Sequence, residues 1–129
     1  MCKVVLVLLN GSCSLCVVLI VTSIFISGKI RPFYAVKCNP DLEIIRTLAI
    51  LGASFDCASK SEIETVINVG VNLQAELGDR NMAIGPERIG FFHPYKMRSH
   101  LRYAKTIGVQ KMTFDSLYEL QKISDMYGK

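Results

Sequence analysis

Phe33-Tyr34-Ala35-Val36-Lys37-Cys38 is a β-branched and aromatic run that stops at Asn39-Pro40, and the chain's reading turns on it. Such a run bounded by turn residues predicts a strand. Asn39 suits a helix N-cap and Pro40 the first helical position. Leu42, Ile45, Leu48 and Ala49 then recur on one face until Gly52, which predicts a helix of about three turns. Ser54 to Ala58 is a second short strand, and Ser59-Lys60-Ser61-Glu62 forms a capping box that opens a helix with Ile63, Val66 and Ile67 inward. Gly70 is the expected stop of that helix.

Further along, Asn72 to Gly85 is polar and reads as a loop. Ile89 to Phe92 predicts a third strand, and Met97, Leu101, Ala104 and Ile107 trace a helical stripe that Gly108 ends. Val109 to Phe114 is a fourth strand, followed by a second capping box, Ser116 to Glu119, and by Leu117, Leu120 and Ile123 at helical spacing. Strand and helix thus alternate four times. This order implies parallel strands with helical crossovers, in a doubly wound sheet or in part of a (β/α)8 barrel. No G-x-G-x-x-G follows any strand, which argues against a dinucleotide fold. Four units make half a barrel, and a half-barrel leaves two unpaired edges that invite another chain or the rest of a longer one.

Composition agrees with an ordered chain. The protein has 129 residues, of which 50% are hydrophobic and 20% charged, so it can bury a single core and is not disordered. Its mean hydropathy of +0.33 comes from one end. Lys3 and Lys29 are the only charges before Arg31, whereas all 11 acidic residues follow it. Beyond Arg31 the charges are mixed in sign, with no basic arm for nucleic acid. Val4 to Gly28 carries no charge and is long enough for a bilayer, which takes about 20 apolar residues. Three readings of residues 1–30 stay open: a membrane anchor through residues 4–28, a buried strand pair, or a leader foreign to the folded protein. The five cysteines have no disulfide spacing and suit a reducing compartment. Cys13 and Cys16 form a C-x-x-C inside the apolar run without a second pair or a nearby histidine, so no zinc or redox site is expected there. His93 and His100 likewise lack metal-ligand company.

Alternation along the first strand makes Lys37 the last residue on its face. A lysine at the carboxyl end of a parallel strand points to the catalytic mouth of a βα fold, where apolar neighbours can tune its amine for Schiff-base chemistry. The competing reading is a strand-end lysine that reaches solvent. Asp56, at the end of the second strand, can lie beside Lys37 across one strand spacing, or serve as a turn residue. Glu62 has a ready structural role as the capping-box partner of Ser59.

Pro32-Phe33-Tyr34-Ala35-Val36-Lys37-Cys38-Asn39 and Leu51-Gly52-Ala53-Ser54-Phe55-Asp56-Cys57-Ala58-Ser59-Lys60-Ser61-Glu62-Ile63 closely resemble the eukaryotic ornithine decarboxylases. The likeness returns at Pro86-Glu87-Arg88-Ile89, at Tyr103-Ala104 and from Gly108 to Ser116, so it covers residues 31–129 apart from the central loop. It divides the chain into a hydrophobic leader, 1–30, and the amino-terminal part of a decarboxylase barrel, 31–129. The resemblance implies an alanine-racemase-like barrel in which Lys37 holds pyridoxal 5'-phosphate, with Ala35 and Asp56 beside the cofactor and Glu62 at the edge of the site. It also implies decarboxylation of ornithine to putrescine, in polyamine biosynthesis, by a cytoplasmic homodimer. Residues after Arg88 resemble the surface by which the family binds antizyme. The chain departs from the family in its insertion, Asn72 to Gly85, and in His93-Pro94-Tyr95-Lys96, where the family has Asn-Pro-Cys-Lys. Nothing in it resembles the family's glycine-rich phosphate loop, the acidic residue facing the pyridine nitrogen or the Cys-Asp-Gly segment. The resemblance therefore implies an incomplete site, inactive by itself. The alternative is a non-catalytic regulator similar to antizyme inhibitor, against which the intact Phe55-Asp56-Cys57-Ala58-Ser59 block speaks.

Overall fold

A computed structural model describes residues 3–6, 30–79 and 83–128. Among them run β1 (Lys3–Leu6), β2 (Ile30–Ala35), α1 (Leu42–Ile50), β3 (Ser54–Cys57), α2 (Lys60–Leu77), β4 (Ile89–Phe91), α3 (Arg98–Ile107), β5 (Lys111–Met112) and α4 (Leu117–Tyr127). The strands form one sheet in the order β1-β2-β3-β4-β5, every pair parallel. Strand order that follows chain order, without reversal, is the winding of a barrel and not of a doubly wound sheet. The expected α/β architecture, a partial (β/α)8 barrel, is what the chain adopts.

Burial follows the two faces of each strand. Tyr34, Val36, Phe55, Cys57, Ile89 and Phe91 pack against Ile45 and Leu48 of α1, Ile63, Val66 and Leu73 of α2, and Leu101 and Ala104 of α3. This apolar layer is the core. The opposite face of the central strands carries Phe33, Ala35, Ser54, Asp56 and Gly90, all buried, and Phe92 packs at a tilt of 48° against Phe33 with ring centroids 5.4 Å apart. Arg88 ties the base of the sheet together, its guanidinium donating to the carbonyls of Ala53 and Ala49.

Several boundaries differ from the sequence expectation. The strand expected to reach Cys38 ends at Ala35, and Val36–Cys38 is a 3-10 turn, closed by a Tyr34 hydroxyl that donates to the Asn39 carbonyl at 3.0 Å. Asp41, not Asn39, caps α1, because its carboxylate accepts from the amides of Glu43 and Ile44, where a negative charge also meets the helix dipole. Gly70 does not stop α2. A Cβ there would lie 2.5 Å from the Ile84 amide, so Gly70 is small because the returning chain packs on it, and the helix runs on to a left-handed Gly78 at φ 66°. The insertion read as a loop is therefore helical from Asn72 to Leu77, where Glu76 pairs with Arg46 of α1. β5 is two residues long where a strand from Val109 to Phe114 was expected, and among the described residues it pairs with β4 through Gly90 and Phe91.

β1 falls within the hydrophobic run and pairs with β2 from Lys3 opposite Ile30 to Leu6 opposite Phe33. Residues 7–29, on which the anchor reading and the Cys13/Cys16 pair rest, lie outside the described residues. Among those described, no helix is long and apolar enough to cross a membrane.

Candidate active site

Parallel pairing brings the carboxyl ends of β2 to β5 to one edge of the sheet. Ala35 lies opposite Asp56, and Asp56 opposite Gly90, so this row places a carboxylate between the two smallest side chains available. Lys37 stands two residues beyond Ala35 on the 3-10 turn and is exposed, not the terminal residue of a strand face as alternation suggested. The turn nevertheless keeps it within electrostatic reach of Asp56. Burial pushes the Asp56 carboxyl up from its usual 3.8, the Lys37 charge pulls it down, Glu62 adds to the rise, and the net direction is upward.

Glu62 is held in its structural role. Its Oε2 accepts from the Ala58 amide at 2.8 Å while Ser59 Oγ accepts from the Glu62 amide at 3.2 Å, which closes the start of α2 beside Asp56. Burial also pushes the Cys57 thiol well above its ordinary range, assisted by the Glu62 and Asp56 charges, so Cys57 is an inert core group. Lys37, Ala35, Asp56 and Glu62 are thus brought to one corner of the mouth.

The second capping box is only half made. Ser116 Oγ accepts from the Glu119 amide, but the Glu119 carboxylate turns to Lys96 and Lys122. His93 Nδ1 accepts from the Tyr95 amide at 3.2 Å, shaping the loop after β4 that delivers Lys96 to Glu119. No cluster of metal-ligating side chains occurs among the described residues. Sequence reasoning passed over the partners of Lys96 because residues 23 positions apart carry no local signal. It also passed over Ser54, which the period-two rule places on the same face as Asp56.

A singly wound parallel sheet with an amine and a buried carboxylate at its carboxyl edge is a partial βα barrel whose lysine stands where barrels carry their chemistry, and a lysine amine is the group that forms Schiff bases with carbonyl compounds. Residues 21–129 match the family described as pyridoxal-dependent decarboxylase, pyridoxal binding domain. The chain belongs to that family, whose cofactor is pyridoxal 5'-phosphate. It is 46% identical over 99 residues to the ornithine decarboxylase of Neurospora crassa, covering 77% of this chain and 18% of that protein. It is 48% identical over 96 residues to antizyme inhibitor 2 of Xenopus laevis, covering 74% of this chain and 18% of the relative. The crystal structure of Paramecium bursaria Chlorella virus arginine decarboxylase superposes with a TM-score of 0.66 at 39% identity, over 82% of this chain and 24% of that one. The chain spans about a fifth of the length of the curated relatives it matches.

The residues present fit the cofactor's aldehyde end. Lys37 offers an accessible primary amine, and Asp56 offers a buried carboxylate whose Oδ1 has no hydrogen-bond partner in the protein.

Proposed function

We propose that the chain is the lysine-bearing part of a pyridoxal-phosphate-dependent decarboxylase whose substrate is L-ornithine and whose product is putrescine. Lys37 holds the cofactor and Asp56 steadies the Lys37 ammonium. Ala35, as the register partner of Asp56, leaves room for a flat ring at the mouth. Glu62 keeps the start of α2 closed and adds negative potential at the edge of the site. When bound, the cofactor supplies the electron sink that lets an α-amino acid lose carbon dioxide. Lys37 then serves as the nearby base that takes and returns a proton at its Nζ. Residues 31–129 act in this reading as the decarboxylase unit within a cytoplasmic homodimer, with Lys3–Leu6 adding a parallel strand beside β2.

The observation that carries this reading is the joint placement of Lys37 and Asp56 at the carboxyl edge of a singly wound sheet. The test is to incubate the full chain with pyridoxal phosphate, reduce with borohydride and map the modified peptide. A pyridoxyl group on Lys37 supports the reading, and its absence, or labelling spread over surface lysines, overturns it. Substrate choice is read from a chimera in which residues 31–129 replace the matching segment of the Neurospora crassa enzyme, assayed for carbon dioxide release from ornithine, lysine and arginine.

The likeness to antizyme inhibitor 2 favours a second reading, a regulator that binds antizyme through residues after Arg88 without turnover. Antizyme binding without lysine modification is its signature.

A further inference from the structure

Phe92 reaches across the sheet. Its amide donates to the Cys57 carbonyl at 3.0 Å, which continues the β4 ladder by one residue, and period two returns its side chain to the face of Gly90. The ring folds back over Gly90, where a Cβ would overlap its Cζ and both Cε atoms, and packs against Phe33 of β2. β3 runs between those two contacts. Phe33 lies opposite Ser54 and Gly90 opposite Asp56, so a ring that meets both Phe33 and Gly90 spans the face from which the Ser54 and Asp56 side chains rise.

Asp56 needs such a cover. Ala35 and Gly90, its neighbours on the two adjoining strands, are too small to shield it, yet Asp56 is 1% exposed and its Oδ1 has no hydrogen-bond partner in the protein. Phe92 is half-buried, which puts its ring at the boundary between this face and solvent. Of the charged groups around Asp56, Lys37 on the turn after β2 favours the ionised carboxyl and Glu62 at the start of α2 opposes it. Lys111 of β5 is turned to the Glu87 carbonyl and the Phe33 ring. Lys37 is thus the cation that bears on Asp56.

We propose that Phe92 is a positioning residue for the Asp56 and Lys37 pair: its ring keeps water off the Asp56 carboxylate and so strengthens the hold of that carboxylate on the Lys37 ammonium. Opposite charges attract more strongly as their surroundings dry, because the attraction varies inversely with the local dielectric. The inference deepens the reading above, on which its bearing on the cofactor rests, but the coupling between the two side chains is measured without cofactor.

The test is a carboxyl-carbon NMR titration of Asp56 in the full chain without cofactor, with Asp56→Asn assigning the resonance. Phe92→Ala admits water, and the Asp56 midpoint is expected to fall by about 1 pH unit, whereas Phe92→Leu keeps an apolar cover and stays with wild type. Lys37→Met raises the midpoint, and that rise is expected to shrink by about half in the Phe92→Ala background. A midpoint unmoved or raised in Phe92→Ala overturns the proposal, as does an equal shift in Phe92→Leu or an equal effect of Lys37→Met in both backgrounds. If Phe92→Ala does not fold, the double variant Gly90→Ala, Phe92→Ala returns a methyl group to the vacated space and is titrated in its place. Failure of Lys37 to take pyridoxal phosphate sinks the functional reading and leaves the titration result standing.

Discussion

Lys96 and Glu119 form an ion pair, Nζ to Oε1 at 3.3 Å, with both side chains sealed from solvent. Lys122 closes the arrangement, its Nζ 2.5 Å from Glu119 Oε2 and 4.0 Å from the centre of the Tyr95 ring, while it donates to the Lys96 carbonyl. Lys96 Nζ also donates to the Thr113 carbonyl. One carboxylate thus fastens the loop after β4, the exit of β5 and the first turn of α4.

Glu119→Gln leaves two buried ammonium groups facing a neutral amide. The expected loss is about 3 to 5 kcal/mol in urea unfolding, larger than for any exposed pair such as Lys60 with Glu64.

The same carboxylate sets an acid limit. Burial pushes the Glu119 carboxyl up, but the hydrogen bonds from Lys122 and Lys96 outweigh it and hold the group below its usual 4.5. A carboxyl depressed in the folded state stabilises above its unfolded pKa, and that stability is lost as pH falls through the folded value. Stability measured from pH 6 downward is therefore expected to fall below about pH 4.5, and to fall less in Glu119→Gln.

Asp56 behaves with the opposite sign. Its carboxyl lies above 3.8 in the folded chain, so its contribution is full below that pH and is lost as pH rises through the folded value. Asp56→Asn is expected to raise stability at neutral pH in urea unfolding. If the functional reading holds, the same change weakens cofactor capture by Lys37.

Gly70→Ala drives a methyl group into the Ile84 backbone and is expected to cost about 1 to 3 kcal/mol in thermal or urea unfolding. The contact is with an amide nitrogen, so trimming Ile84 to alanine cannot restore the lost stability.

Arg88→Ala strips partners from the Ala49 and Ala53 carbonyls at the base of α1 and β3. The Gly52 amide still donates to the Ala49 carbonyl, so the expected cost is about 1 to 3 kcal/mol for the Ala53 carbonyl, and Arg88→Lys recovers only part of it because a lysine lacks the planar fork.

The barrel winding was legible because strands ended on turn residues and α2 and α4 opened on serine caps, although α3 starts at Met97 without a side-chain cap. Gly70 misled because a glycine in a helical pattern reads as a stop, while its real reason, the approach of Ile84, is a contact across the insertion. Asn39-Pro40 misled because Asp41, one residue on, offers a charged cap. At the site, motif and resemblance pointed to Lys37, Ala35, Asp56 and Glu62, but alternation misplaced Lys37, which stands on a 3-10 turn and not at the end of a strand face. Ser54 was hidden by its ordinary appearance in a strand, and the Lys96–Glu119 pair by its long separation along the chain.

The 3-10 turn at Val36–Cys38 gives Lys37 a particular mechanical character. Val36 is wholly buried, and the Tyr34 hydroxyl grips the Asn39 carbonyl, so the backbone on both sides of Lys37 is anchored while its side chain stands in solvent. The result is a lever with a fixed pivot and a free arm. A strand position would have set the arm between neighbouring side chains, whereas the turn leaves the amine exposed above an anchored backbone.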